Sequence, residues 1–569
     1  MNNSGLIIKF NKNIGSQLYQ YFSKNLFVLL TIFLIGFSIV HFLFFFWNGL
    51  GLAYNDARSH LDIARRVVEG LKPGLAQIGS VWLPLPHLLM VPFVWHDFFW
   101  HTGLAGAITS MLAYVITGIL MYKFMAELKV GLLGRFIGVL VFATNINVLY
   151  LQSTAMTELL LIATTLAAVY YLLLWSKKEE AINLIKAAFW TMMATLARYD
   201  GWFLLATMTG LIGLHFLAKR LTNEKLETKG WIISLPPIKF TVLFFKSLFK
   251  EYNKIEGTLV LFLTMGSLGV FLWFLWNLLI FGDPLFFAFG PYSAHSQQLQ
   301  LESAGDLITK YNLIQSIETY GYAMFFNLNA FTGFVGLFAG LYMLFDKRIN
   351  LSMRLVSLAL LSPLLFNIIA LFFGHSVLFV QGINGNTWFN VRYGIMMIAS
   401  IGIYLGVLID RVKPIRAPLV GLLIFVMLFS FLNFDAVTID DARVGSSQKN
   451  VSEVSGYLKT HAKDQVGFIL ISAASHDAII FSSTLPMKRF IHEGTGDYWK
   501  SATASPDRWA RWIVMRTYDD NDSTWRLVKN TDGLAKYVLV AQYPFADVYQ
   551  LKDEYIKDLN TKPILPKQK

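Results

Sequence analysis

Long apolar runs recur along this chain and constrain its fold more strongly than any other feature of the sequence. Between Asn25 and Phe434 they are long enough to cross the ~30 Å hydrocarbon core of a bilayer as helices. Hydrophobic residues make up 55% of the 569 residues, which excludes an ordinary soluble protein. The sequence therefore predicts a mostly α, polytopic bundle of about eleven spans, near 26–47, 102–125, 133–150, 158–175, 181–197, 201–218, 258–282, 322–345, 355–374, 392–409 and 417–434.

Basic residues between the spans predict the orientation of this bundle. They cluster in loops of one side, at 177–178, 219–220, 347–348 and 411–413. Because cytoplasmic loops carry an excess of Lys and Arg, we expect these loops and the lysine-rich insert 219–256 in the cytoplasm. The N-terminus is then cytoplasmic in the plasma (inner) membrane, and the C-terminus is extracytoplasmic.

Net charge and cysteine content exclude other classes of protein and site. The formal net charge is +12, but it is concentrated in the predicted cytoplasmic loops, and no nucleic-acid-binding motif accompanies it. We therefore expect membrane lipid around the chain and no nucleic-acid partner. The chain has no cysteine, so disulfides and thiolate metal sites are excluded.

The composition changes after Phe434, where the apolar runs end. Several short segments beyond this point are predicted as strands that alternate with helical patterns, which indicates a small α/β domain outside the membrane. The predicted organisation is therefore a transmembrane domain at 1–434, with a first external loop at 48–101, and an extracytoplasmic α/β domain at 435–569.

The stretch after the first span is rich in acid and base where a short connector would need only turn residues. Asp56, Arg58, His60 and Asp62 follow one another as the chain leaves the membrane. Charged groups at membrane depth are costly and usually functional. Asp56 has a structural alternative as the N-cap of a helix over Ala57–Val68, and the two roles do not exclude each other.

Three further polar segments are predicted on the same outer face. Glu158 begins a span in the segment TAMTE, Arg198 and Asp200 occupy the turn LARYDGW, and Arg392 lies in NVRYG. Arg198 and Asp200 have a structural alternative as an ion pair that closes the turn, and Glu158 as a residue that favours the helix dipole. Convergence of separate segments on one face favours a functional site.

These segments resemble the GT-C superfamily of polytopic glycosyltransferases, over residues 25–410. As in protein O-mannosyltransferases and lipid A aminoarabinose transferases, an acidic residue follows the first span, here Asp56 in YNDARSH, and an amphipathic helix follows it. The TAMTE and ARYDGW turns are similar to acidic and Arg-aromatic-acid segments of these enzymes, and an external C-terminal domain is common among them. The chain has a single Asp where some members have an Asp-Glu pair. It also lacks the WWD-type motif of oligosaccharyltransferases, which disfavours transfer of a whole oligosaccharide.

The resemblance implies an inverting transfer of a sugar from a polyprenyl-phosphate carrier to a hydroxyl of a protein, lipid or glycan at the extracytoplasmic face. One carboxylate near the acceptor hydroxyl suffices as the base, and we assign this role to Asp56. The other candidates are expected to bind substrate, and the cationic ones among them its phosphate. They are Arg58, His60, Glu158, Arg198, Asp200 and Arg392. No cofactor is certain and no metal ligands are assigned, although a divalent cation is compatible with the carboxylates.

A transporter or flippase of a lipid-linked glycan is the main alternative function. It would predict an inverted repeat, broken helices at the midplane and charges within spans. The sequence shows no repeat, and its charges lie at one membrane face. A non-catalytic assembly or sensor protein would not need acidic groups on several loops of that face, so the sequence favours the glycosyltransferase.

Overall fold

The transmembrane part of the chain is helical, and every predicted span coincides with an apolar helix or helix pair. Among the residues that the structure describes, seven helices are long and apolar enough to cross a membrane, and the number is nine if each of two bent pairs forms one span. The predicted spans 133–150 and 181–197 fall on shorter apolar helices. The chain is thus a multi-pass membrane protein. A computed structural model describes residues 12–223, 252–290, 293–303, 305, 307–444 and 448–560, so most of the predicted insert 219–256 lies outside the described residues.

The helices of this part are numbered in chain order. They are α1 (Lys12–Trp47), α2 (Asn55–Val68), α3 (Pro84–Val94), α4 (Asp97–His101), α5 (Leu104–Glu127), α6 (Leu132–Ala143), α7 (Ile146–Leu151), α8 (Glu158–Lys178), α9 (Ala181–Ala197), α10 (Asp200–Asn223), α11 (Tyr252–Gly266), α12 (Leu268–Phe281), α13 (Phe286–Phe289), α14 (Ala294–Ser303), α15 (Leu313–Leu328), α16 (Ala330–Phe345), α17 (Leu351–Val356), α18 (Ser362–Phe372), α19 (Ile398–Arg411) and α20 (Arg416–Asn433), with 3-10 helices at Leu75–Ile78, Ser357–Leu361, Val391–Met397 and Lys413–Ile415.

The predicted span 322–345 is broken in the structure. Its two arms, α15 and α16, meet at a bend of 111°, and the first arm begins earlier than predicted, at Leu313. Asn329 stands at the bend with φ +66° and ψ 139°, a backbone conformation that residues with a side chain rarely adopt. Apolar patterning does not reveal this break, because both arms are apolar.

The segment 48–101, predicted as the first external loop, folds onto one end of the bundle. Its helix α2 is amphipathic and buries Ala57, Leu61 and Ala64 completely. Helix α3 begins at Pro84, a position where proline is tolerated because the first N–H groups of a helix have no partner within it. The apolar, proline-containing segment Pro84–Val94 is thus a short helix of this loop.

Charged side chains also gather at the opposite end of the bundle. There Glu179 pairs with Lys219 at 2.6 Å, which ties the end of α8 to the end of α10. Arg411 pairs with Asp346 at 3.0 Å and donates to the carbonyl of Leu128, just after α5. The basic residues from which the orientation was predicted therefore lie at the end of the bundle that is remote from α2. The side of the membrane that each end faces stays a prediction.

The C-terminal part is an α/β domain around one five-stranded sheet. The strand order is β2-β1-β3-β5-β4, in which β2, β1 and β3 are parallel and β5 is antiparallel to both of its neighbours. Strands β1, β3 and β4 coincide with the three segments that the sequence predicts as strands, at 466–472, 510–515 and 536–542, whereas β2 and β5 are additions. The elements are α21 (Val437–Val444), α22 (Gln448–His461), β1 (Phe468–Ile471), α23 (Ala473–Ser482), β2 (Phe490–Ile491), α24 (Asp497–Ala504), β3 (Ala510–Met515), α25 (Ser523–Val528), β4 (Tyr537–Gln542) and β5 (Asp547–Leu551).

A buried ion pair joins this domain to the first external loop. Arg66 Nη1 on α2 lies 2.5 Å from Asp477 Oδ1 on α23, and both side chains are buried. Asp62, also buried, accepts a hydrogen bond from Trp100 Nε1 at 3.0 Å. Burial raises the pKa of Asp477, and burial together with the charge of Asp477 raises the pKa of Asp62. These directions indicate that one arginine does not fully neutralise two buried carboxyl groups.

We expect Asp477→Ala to loosen the C-terminal domain, because it leaves Arg66 buried without its partner. Breaking a buried ion pair costs about 3–5 kcal/mol, whereas replacing both partners by apolar residues is often neutral. The thermal midpoint in detergent should fall in Asp477→Ala and largely recover in the double variant Arg66→Met/Asp477→Leu. Asp553→Ala, at an exposed position of the same domain, is the matched control. Equal midpoints for Asp477→Ala and this control would contradict the role of the pair.

Candidate active site

The guanidinium of Arg392 lies at the centre of the candidate site. Its Nη2 donates to Asp56 Oδ2 at 2.6 Å, its Nε donates to Glu158 Oε1 at 3.1 Å, and its Nη1 lies 3.8 Å from Asp441 Oδ2. These three carboxylates belong to α2, α8 and α21. One side chain therefore connects the first external loop, the membrane bundle and the first helix after the last span.

Glu158 joins a second arginine to this network. Its Oε1 lies 3.3 Å from Arg198 Nη1, and Arg198 Nε lies 3.3 Å from Asp200 Oδ2. The ion pair between Arg198 and Asp200 that could close the turn is therefore present, but as one part of a larger network. The structure thus brings together five of the residues singled out in the sequence, namely Asp56, Glu158, Arg198, Asp200 and Arg392.

Three helices begin at this network. Asp56 lies in the first turn of α2, Glu158 is the first residue of α8, and Asp200 is the first residue of α10. Helix N-termini present free N–H groups and partial positive charge, which stabilise carboxylates. The alternative of Asp56 as an N-cap is wrong, because α2 already begins at Asn55 and Tyr54 occupies the cap position.

Aromatic contacts and a tight turn hold the arginines in place. The ring centre of Tyr393 lies 4.8 Å from the guanidinium carbon of Arg198 and 5.3 Å from that of Arg392, within the range of cation–π attraction. Asn390 adopts a left-handed conformation with φ +56° and donates from Nδ2 to the Val377 carbonyl at 2.9 Å. This turn places Arg392 in the site, in the first turn of the 3-10 helix Val391–Met397.

The candidates read from the sequence omit two members of the network. Tyr54 donates from its hydroxyl to Asp441 Oδ2 at 3.0 Å, and its ring centre lies 4.9 Å from the Arg392 guanidinium carbon. Both side chains are buried. Asp441 has a signal in the sequence, since it forms an acidic pair with Asp440 directly after the last span. Tyr54 has only its nearness to Asp56.

Asp56 is the accessible carboxylate of this network. Its side chain is 41% exposed, compared with 0% for Glu158, 8% for Asp200 and 3% for Asp441. Because Arg392 occupies Oδ2, Asp56 can present Oδ1 to a ligand. No group of three or more His, Asp or Glu side chains in the described part of the chain is arranged to hold a metal ion, and a divalent cation stays a prediction.

Arg58 stands outside the network. Its Nε donates to the carbonyl of Leu52 at 2.9 Å, and its buried Nη1 has no hydrogen-bond partner among the described residues. No carboxylate pairs with it in that part of the chain either. Burial lowers the pKa of Arg58, which is the direction expected for a cation without a counter-ion. Arg58 is therefore a cation whose charge no carboxylate of the described chain compensates.

His60 also has its partner outside the network. Its Nδ1 lies 2.9 Å from Nε2 of His87. Burial, followed by the charges of Arg392 and Arg198, lowers the pKa of His60 to about 3. This direction favours a neutral imidazole in the absence of an anionic ligand, and the role of His60 in binding substrate stays a prediction.

A narrow, mostly apolar slot extends into the bundle beside the network. Its walls come mainly from α8, α18, α19 and the 3-10 helix Val391–Met397, with Leu161, Pro363 and Met396 among the lining residues. Asp200 also lines the slot, and its buried Oδ1 has no hydrogen-bond partner among the described residues. The slot thus places apolar surface directly against the charged site.

Solved structures share the architecture of the chain. ArnT from Cupriavidus metallidurans bound to undecaprenyl phosphate is 10% identical, with a TM-score of 0.51, over 91% of this chain and 98% of that one. The chain has the GT-C fold. The archaeal oligosaccharyltransferase AglB from Archaeoglobus fulgidus, in complex with an inhibitory peptide and a dolichol-phosphate, is 11% identical over 87% of this chain and 70% of its own, with a TM-score of 0.48. By sequence, no family model and no curated protein matches the chain.

Proposed function

We propose that this GT-C protein transfers a sugar from a polyprenyl-phosphate carrier to a hydroxyl of a protein, lipid or glycan, with inversion at the anomeric carbon. The proposal is carried by one observation, the accessible carboxylate of Asp56 beside the buried Arg392 at the end of an apolar bundle. A lipid-borne phosphate and an acceptor from the aqueous side meet at such a place. ArnT, whose fold the chain shares, has been solved with undecaprenyl phosphate bound, which supports a carrier of this class.

Asp56 is the general base in this proposal. Its Oδ1 accepts the proton of the acceptor hydroxyl while the hydroxyl oxygen forms a bond to the anomeric carbon of the sugar. The bond between that carbon and the phosphate oxygen breaks, and polyprenyl phosphate leaves with the electron pair. Attack from the face opposite the phosphate inverts the anomeric configuration. The 2.6 Å contact from Arg392 to Oδ2 fixes the direction in which Oδ1 points.

The phosphate is assigned first to Arg58. Arg392 faces three carboxylates and Arg198 faces two, so their charge is already largely compensated within the protein. Arg58 has no carboxylate partner among the described residues, and a buried cation is costly until an anion joins it. Arg198 is 18% exposed and Arg392 only 6%, which makes Arg198 the second candidate.

The outer placement of the site rests on the basic residues at the opposite end of the bundle. We expect Lys347 to face the cytoplasm and Asp553 to face outside, because Lys and Arg accumulate on the cytoplasmic side. Both positions are exposed, and the chain has no native cysteine, so single cysteines placed there report their own side of the membrane. An impermeant thiol reagent should label position 553 but not 347 in intact cells. The reverse labelling would place the site in the cytoplasm.

We expect Asp56→Asn to lower sugar transfer by about 10²–10⁴-fold, as for loss of a general base, while the protein still inserts and binds the donor lipid. The assay uses purified protein and undecaprenyl phosphate loaded with a panel of hexoses and pentoses, run with Mg²⁺ and with EDTA. Asp440→Asn, at an exposed position next to Asp441, is the matched control and should keep its activity. Full activity of Asp56→Asn would remove Asp56 as the base.

We expect Arg58→Ala to lower transfer by about 10²-fold and to weaken use of the donor more than use of the acceptor. The physical reason is a phosphate contact that strengthens as negative charge develops on the leaving oxygen. Arg58→Lys should recover part of the activity, because it keeps the charge without the bidentate fork. Titration of donor and acceptor on folded protein measures the effect, with Arg198→Ala and Arg392→Ala in parallel and exposed Arg508→Ala as the control. Unchanged donor kinetics in Arg58→Ala would move the phosphate to Arg198 or Arg392.

A further inference from the structure

A neutral, partly aromatic wall, formed by the side chains of His60 and Trp82, lies next to the charged network. His60 lies one helical turn after Asp56 on α2, so the two side chains share one face of that helix. Trp82, in the loop before α3, has its ring centre 4.4 Å from that of His60 and is partly exposed. The wall therefore borders the place where the base meets its substrate.

The loop that holds Trp82 is fixed by hydrogen bonds to the membrane bundle. The hydroxyl of Tyr199 donates to the Val81 carbonyl at 3.0 Å, and Trp276 Nε1 donates to the Gly79 carbonyl at 3.0 Å. Tyr199 belongs to the turn between α9 and α10 that also carries a network arginine. Trp82 is therefore positioned by the same turn that builds the charged site.

Among the described residues, His60 uses only one of its two ring nitrogens, Nδ1, in a hydrogen bond. The side chain is buried, and Nδ1 is occupied by His87, so Nε2 is the nitrogen that can meet a bound molecule. The imidazole is neutral because burial, then Arg392 and Arg198, hold its pKa at about 3. A neutral imidazole nitrogen donates or accepts according to its tautomer. A hydroxyl group can pair with either tautomer, because it both donates and accepts hydrogen bonds. A phosphate oxygen only accepts, and it is better matched by the arginines.

We propose that His60 and Trp82 form the subsite for the sugar of the donor, with Trp82 against the ring of the sugar and His60 Nε2 hydrogen-bonded to one of its hydroxyls. The assignment rests on the proposed function. An aromatic surface with one well-placed polar group is the usual composition of a site for a small uncharged ligand. In this assignment the two parts of the donor contact different kinds of surface, because the sugar contacts neutral side chains and the phosphate contacts cationic ones.

Two substitutions at His60 separate the ligand contact from the contact with His87. In His60→Asn the amide stands near the position of Nδ1 and can keep the bond to His87, but nothing replaces Nε2. In His60→Gln the amide reaches the position of Nε2 and can keep the bond to the sugar. Trp82→Tyr and Trp82→Leu form a second pair, of which only the first keeps an aromatic face. His375→Asn, at an exposed position, is the control.

The experiment compares binding of undecaprenyl phosphate with binding of undecaprenyl phosphate that carries a hexose, on full-length protein in detergent. We expect His60→Asn and Trp82→Leu to weaken the sugar-loaded lipid by about 3- to 10-fold, as for the loss of a neutral hydrogen bond or a ring contact, and to leave the bare lipid unchanged. His60→Gln, Trp82→Tyr and the control should stay near the parent protein. The His60→Asn effect should be the same at pH 6 and pH 8.

Other results would overturn the subsite. Equal weakening of bare and sugar-loaded lipid in His60→Asn would place His60 against the phosphate, and unchanged binding of both lipids would remove it from the donor. A His60→Asn effect that disappears at pH 8 would require a charged imidazole. The proposed function fails separately, since a parent protein that transfers no sugar can still bind the sugar-loaded lipid better through His60 and Trp82.

Discussion

The end of the bundle that carries α2 depends on one buried guanidinium, that of Arg392. A buried cation is stable only when it is paired and hydrogen-bonded, and its partners here come from three segments that are far apart in the sequence. Asp56, Glu158 and Asp441 must therefore come together for any of them to be correctly placed. The site forms as a consequence of closing α2, α8 and α21 around one charge, and it exists only in the fully assembled fold.

The charges of this network also direct where an anionic substrate can lie. Four carboxylates face two arginines, so the fully ionised network carries an excess of negative charge that repels a phosphate. This excess is the reason for proposing the donor phosphate at Arg58, which has no carboxylate partner in the described chain, and the uncharged sugar beside His60. The network members with these charges are Asp56, Glu158, Asp200, Asp441, Arg198 and Arg392.

The positions of the membrane spans could be predicted from the sequence, because each span appears there as a long, uninterrupted apolar run. Asp56 and Arg392 could be assigned to the same end of the bundle, because the basic loops cluster at the opposite ends of the spans. The break at Asn329 could not be predicted, because it depends on backbone geometry between two apolar arms. The neutral state of His60 could not be predicted either, because burial and two arginines distant in sequence determine it.

Helix α2 couples the site to the C-terminal domain, because its two functions lie on different parts of one rigid element. Its first turns carry Asp56 and His60, and Arg66 further along holds the domain through Asp477. The domain also contributes Asp441 directly to the network. A chain that ended at Phe434 would leave Arg392 with two of its three carboxylates and Arg66 with none. The C-terminal domain is therefore part of the framework that positions Arg392 and, through it, Asp56.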